Sequence, residues 1–209
     1  MRRILGASAV FAMLAMGMAG GVANAAGETE GTEVAPLVSS TVLINEVSTR
    51  GVNGQLDEVV ELRNVSSQPQ DISGYTIRIY SSANIQTDTI VLPAGTVLQP
   101  KGTAGQYAVL VGPNFSGAIA DQTYVIPFTL SGVDGIQTTG GLSLHNLAAT
   151  KLDGVAFSNA VLTPREGQAA IPETATTDLL NASNTRNILS TDTDNNRQDF
   201  SLQLRSAGQ

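Results

Sequence analysis

The chain contains no cysteine, no tryptophan and a single histidine, and only 4% of its residues are aromatic. Without cysteine there is no disulfide to staple the fold, so the core alone has to hold it. At 42% hydrophobic residues the material for a core is present, and the scarcity of aromatics makes it mainly Val, Ile and Leu. A lone His145 and no thiolate rule out the usual Cys/His sites for zinc or iron. Basic residues are also few, 11 against 18 acidic ones, for a net charge of -7. No Lys/Arg cluster relieves that field, so nucleic acid is not an expected partner. No internal repeat of fixed period marks a propeller or a β-helix.

Hydrophobicity is concentrated at the N-terminus. MRRILGASAVFAMLAMGMAGGVANA places Arg2 and Arg3 before an apolar run, Ile4 to Met18, and closes on Ala23-Asn24-Ala25. A basic start, a short apolar centre and an A-x-A site form a secretory signal peptide, cleaved after Ala25. As a membrane anchor the run is too short, and no later stretch is long and apolar enough to span a bilayer. Residues 26–40, AGETEGTEVAPLVSS, are small, acidic and aperiodic, as in a flexible spacer. Residues 41–209 then suit one domain. The expected product is secreted or associated with the cell surface.

From residue 41 the sequence becomes short β-rich runs between turn residues. Tyr75, Ile77 and Ile79 alternate with Thr76, Arg78 and Tyr80; Tyr107, Val109 and Val111 alternate with Ala108 and Leu110; Phe200, Leu202 and Leu204 alternate with Ser201, Gln203 and Arg205. This period of two predicts half-buried strands. Tyr124, Ile126, Phe128 and Leu130 share a face too, but Pro127 makes theirs an edge or bulged strand. VLINEV at 42–47, EVVEL at 58–62 and TIVL at 89–92 are apolar on both faces, as central strands are. Turn residues recur between runs, at Val52-Asn53-Gly54, Ser73-Gly74, Pro93-Ala94-Gly95, Pro100-Lys101-Gly102, Asp134-Gly135, Gly140-Gly141 and Asp153-Gly154. The best helical candidate is PETATTDLLNAS at 172–183. Roughly eight or nine short strands with turns between them predict an all-β sandwich.

Three stretches carry a family resemblance. VLINEV opens the domain, with Ile44, Asn45, Glu46 and Val47. DEVVELRNVSSQPQDISGYTI follows, with Asp57, Glu58, Val60, Glu61, Leu62 and Asn64, then Asp71, Ser73, Gly74 and Tyr75. TRNILSTDTDNNRQDF closes it, with Arg186, Asp192, Asp194, Asn195, Asn196, Asp199 and Phe200. Together they resemble the lamin tail domain in the form found in exported bacterial proteins, over about residues 41–205. The resemblance is specific at both ends and weaker over 112–180. It implies an immunoglobulin-like β-sandwich with a non-catalytic role in binding, assembly or surface association. Its partner would be a protein or an envelope glycan.

Several groups invite chemistry. Asp192, Asp194 and Asn196 fall at i, i+2 and i+4, with Asp199 at i+7, and alternating oxygen donors of this kind suit Ca²⁺. The run is not an EF-hand, because Arg197 stands where Gly is required and Gln203 where the bidentate Glu belongs. Two other uses weigh against the metal: Asp and Asn side chains that shape the turn into the Phe200 strand, and a clamp from Asp192 or Asp199 to Arg186. Turn architecture is favoured, and no cofactor is expected. Asp57 and Glu61 lie about 13 Å apart along a strand, too far for a glycosidase pair. Glu46 can approach Glu58 or Glu61 from a neighbouring strand, although a solvated face or hydrogen bonds to backbone account more simply for these acids. Ser143 and His145 share a strand face about 7 Å apart, beyond the reach of a nucleophile and its base. A non-enzymatic binding module is therefore expected. Its rivals are a secreted hydrolase dependent on divalent ions, using Glu46, Glu58, Glu61 and the 192–199 loop, and a structural subunit that pairs through a strand edge.

Overall fold

A computed structural model describes residues 39, 41–132 and 134–209. The expected signal peptide lies outside the described residues, as does the spacer apart from Ser39. That residue already belongs to the fold: its amide donates to Asp192 at 3.0 Å and its hydroxyl to the carbonyl of Val42 at 2.7 Å.

Twelve strands and two short helices follow in the order β1 (Val42–Ser48), β2 (Val59–Asn64), β3 (Gln70–Asp71), β4 (Thr76–Tyr80), β5 (Gln86–Val91), β6 (Val97–Leu98), β7 (Tyr107–Val111), β8 (Tyr124–Pro127), β9 (Gly141–His145), β10 (Lys151–Ala156), α1 (Ala175–Leu179), β11 (Ala182–Arg186), α2 (Asn196–Asp199) and β12 (Phe200–Leu204). A six-stranded sheet runs β12-β11-β1-β2-β7-β8 and a four-stranded sheet β10-β9-β4-β5; β3 and β6 pair by themselves. The count exceeds the expected eight or nine partly because β3 and β6 are two residues each, too short to leave a periodic trace.

One apolar cluster joins the two layers. The six-stranded sheet contributes Val42, Ile44, Val47, Val60, Leu62, Ala108, Leu110 and Ile126, and the other sheet Ile77, Ile79, Ile90, Leu142, Leu144 and Val155. It is the expected core of branched aliphatics. Side chains at alternate positions of β2 and β7 point the other way, and there Val59 and Val109 are covered by Phe115, Ile119 and Ala207. A strand covered on both faces reads as apolar throughout, which is why VLINEV and EVVEL were legible as central strands. TIVL is a correction. It lies in β5 at the edge of the four-stranded sheet, with Val91 60% exposed. Pro127 sits in β8, an edge strand as expected, paired in parallel with β7.

Two local expectations need correction as well. The predicted helix shrinks to Ala175–Leu179, capped at Thr174, and Ala182 and Ser183 pair with β12 instead. The 192–199 run keeps its expected turn architecture into the Phe200 strand, closing on the short helix α2 with the Asn195 side chain accepting from the Arg197 amide. Asp153-Gly154 is not a turn but lies inside β10. A side chain at Gly154 would run into the Pro164 carbonyl, so glycine is needed here for close approach of backbone rather than for reversal. The link from β2 to β4 crosses between sheets. Asp71 accepts from the Ser73 amide, Ser73 Oγ from the Gly95 amide, and Gly74 has φ +73°, the left-handed conformation that favours glycine.

Candidate functional site

The two sheets are tied together at a charged hub around Arg186, the last residue of β11. Its side chain is fully buried. Nε donates to the Ile44 carbonyl at 2.9 Å and Nη1 to the Thr191 carbonyl at 2.8 Å. The guanidinium lies 2.9 Å from Asp153, 3.1 Å from Asp199 and 3.4 Å from Asp192, and stacks 4.5 Å from the centre of the Phe200 ring. Asp153 reaches the hub from β10, in the other sheet, and also accepts from the Ile44 amide at 2.7 Å. The clamp between Arg186 and the acidic loop is thus present, and it engages Asp192 and Asp199 together.

The four residues expected as possible calcium ligands separate into different tasks. Asn196 Oδ1 accepts from the amides of Ala156 and Glu166, both at 3.1 Å, while Nδ2 donates to the Gly154 carbonyl at 2.7 Å. Asp199 accepts from the Thr193 amide and hydroxyl. Asp192 takes amide donors from Ser39 and Asp194. Asp194 Oδ2 is buried without a hydrogen-bond partner. The carboxylates that converge are a different set, Asp153, Glu166 and Asp192, with one oxygen from each within 4.8 Å of the others. Lys151 lies 3.2 Å from Glu166. Burial, then the nearby Asp153 charge, pushes the Glu166 carboxyl well above the ordinary range, and burial likewise raises Asp153 against the pull of Arg186.

Replacing Asn196 with alanine strands two amides and a carbonyl that are bonded to its buried side chain. We expect a loss of about 2–3 kcal/mol, at the cost of 1–3 kcal/mol for an orphaned buried group, read as a lower urea midpoint with an unchanged m value. A loss under about 0.5 kcal/mol, the scale of surface changes, would mean that water replaces the amide.

The remaining acids do not form a cleft with that loop. Glu46 and Glu61 are paired across β1 and β2 on the outer face of the six-stranded sheet. The C-terminal residues close over them: the Ser206 amide and hydroxyl donate to Glu46, and the Gly208 amide to Glu61. Asn45, at the β1 bulge, donates to Glu61 at 2.6 Å. Burial, followed by the charge of Glu46, pushes the Glu61 carboxyl up to about 8. Glu58 accepts from the Ile136 amide and, through burial, is raised to about 7. A solvated face is therefore overturned for these acids, and backbone acceptance stands. Asp57 is also buried, bonded to Ser116 and 2.8 Å from Arg205.

Ser143 and His145 correct a second expectation. Their side chains meet at 2.9 Å, because the serine and the imidazole close a gap that separates the backbone positions. His145 Nδ1 lies 3.1 Å from the Ala149 carbonyl. A carbonyl only accepts, so Nδ1 carries the proton and Nε2 accepts from Ser143. Burial, with Arg78 and Lys151 nearby, lowers the histidine pKa. Ser143 itself is fully buried, out of a substrate's reach.

Asp153 and Glu166 were missed by sequence reasoning. Neither stands in a metal-spaced motif, and the Asp-Gly pair carried the signal of a turn. Residues 36–205 match the family described as Lamin Tail Domain. The chain belongs to that family, and its two sheets form the family's immunoglobulin-like sandwich. No curated protein matches the chain.

Proposed function

We propose that this lamin tail domain is an exported, non-catalytic module that binds or assembles at or outside the cell envelope, with a protein or an envelope glycan as partner. The observation that carries this reading is where the reactive groups go. The histidine, its serine and the acids of β1 and β2 are buried and bonded within the domain, while strand edges face outward. β12 ends the six-stranded sheet, and its Leu204 is 74% exposed, at the end of the hairpin where exposed Leu179 and Leu180 precede β11. An open edge accepts an incoming strand through backbone hydrogen bonds, so pairing as a structural subunit is the second form of the same role. Export rests on the basic, apolar and A-x-A pattern of residues 1–25. Among the described residues no helix is long and apolar enough to cross a membrane.

The test compares retention of the protein and of Leu204→Lys on envelope fractions, together with turnover of envelope polymers. Saturable retention that the lysine weakens severalfold, with no turnover, is the expected result. Turnover that disappears in His145→Ala would make the domain a hydrolase instead.

A further inference from the structure

We propose that Asp153, Glu166 and Asp192 form a site for one hard divalent cation, Ca²⁺ in the first place. The three carboxylates arrive from separate parts of the chain: β10, the segment before α1 and the loop before α2. One oxygen from each lies within 4.8 Å of the other two. Three oxygens at that limit are equidistant from a point about 2.8 Å from each, a few tenths of an ångström beyond the Ca²⁺–oxygen distance of about 2.3–2.6 Å, so one ion reaches all three with a small inward movement of the side chains.

A second observation is independent of this clustering. Glu166 is 7% exposed, yet its Oε2 is buried with no hydrogen-bond partner, and Asp194 Oδ2 is in the same condition. Nearly every other carboxylate oxygen of the hub has an amide, a hydroxyl or Arg186. A buried carboxyl oxygen without a hydrogen-bond partner is costly, and a bound cation gives it one. Fixed positive charge is also short. Arg186 is shared among Asp153, Asp192 and Asp199, and Lys151 is left to Glu166.

The donors are all oxygen, which suits Ca²⁺, Mg²⁺ or Mn²⁺ over softer metals. Ca²⁺ is preferred because three segments tied by backbone bonds cannot be expected to meet the strict octahedron of Mg²⁺. Asp194 and water would complete the shell. Of the residues first expected as ligands, Asp199 lies outside the convergent set, and the Asn196 oxygen already accepts two amides. The site does not depend on the proposed binding role, since an ion here would tie β10 to the 166 and 192 segments whatever the domain binds.

The test is calorimetric titration of the EDTA-treated, dialysed protein with CaCl₂, with melting curves in EDTA and in excess Ca²⁺. Saturable one-to-one binding is expected, with Kd about 10⁻⁴–10⁻³ M as in extracellular calcium modules, and Tm should rise by about 3 °C at tenfold excess over Kd. Glu166→Gln keeps the shape and removes the charge. It should weaken binding at least tenfold while melting no lower than wild type in EDTA, a pairing that mere structural damage does not produce. Glu61→Gln, on the far face of the six-stranded sheet, should bind as wild type does. If Glu166→Gln fails to fold, Asp192→Asn is read in the same way. Absence of saturable heat and of any melting shift with Ca²⁺, Mg²⁺ and Mn²⁺ overturns the proposal, as does undiminished binding by the folded variant.

Discussion

Arg186→Met is expected to lower Tm by about 10 °C or more, or to leave the domain unfolded at 37 °C. Removing one partner from a buried ion pair costs about 3–5 kcal/mol because the other charge stays behind. Here three carboxylates stay behind, and the carbonyls of Ile44 and Thr191 lose their donor as well. In a domain of this size each kcal/mol moves Tm by about 2–4 °C. Methionine fills much of the arginine volume and keeps contact with the Phe200 ring, so the loss would report charge rather than a cavity. Arg186→Lys should fall in between, since one ammonium cannot reproduce the fork that spans two carbonyls and three acids. Adding Asp153→Asn to the methionine variant should restore part of the loss by removing one stranded charge. A Tm within about 2 °C of wild type would show that these acids are already neutral or otherwise compensated.

The contrast between Arg186 and its acids shows how far the sequence was legible. Asp192 and Asp199 were visible as clamp partners because they lie within one short run. Asp153 was not, since its contact with Arg186 arises where the edge of one sheet meets the bulge at Ile44 in the other, and no local pattern encodes that meeting. Glu166 is placed by the amides bonded to Asn196, a cross-link between segments that are each irregular in sequence. The same distinction runs through the fold. EVVEL reads as apolar on both faces and β2 is covered on both, but the pattern does not show that the cover over Val59 and Glu61 is the loop after β7 and the C-terminal residues. TIVL and EVVEL look alike because period and composition report a strand's two faces, not whether a neighbour lies beyond it.

Covering Glu61 has a consequence for pH. Stability should be greatest near pH 5 and fall by several kcal/mol toward pH 8. Glu61 is raised to about 8 by burial and then by Glu46, against the bonds from Gly208 and Asn45 and the charge of Arg63. Glu58 and Glu173 are each raised to about 7, again chiefly by burial. A carboxyl whose folded pKa lies above its unfolded value near 4.5 holds a proton that the unfolded chain has released. The folded state then binds more protons than the unfolded one, and stability falls with rising pH at about 1.4 kcal/mol per unit per group. The contribution is fully present below pH 4.5 and is lost as pH passes through 7 to 8. Glu61→Gln isolates the largest of these three contributions. Glutamine offers one acceptor where both Asn45 and Gly208 donate, so the variant should be less stable than wild type at pH 5. It cannot ionise, so its curve should be flatter, and the two should converge or cross by pH 8. Urea unfolding at pH 5, 6.5 and 8 measures both curves, and a glutamine curve parallel to wild type would mean that Glu61 is already ionised beneath the C-terminal residues.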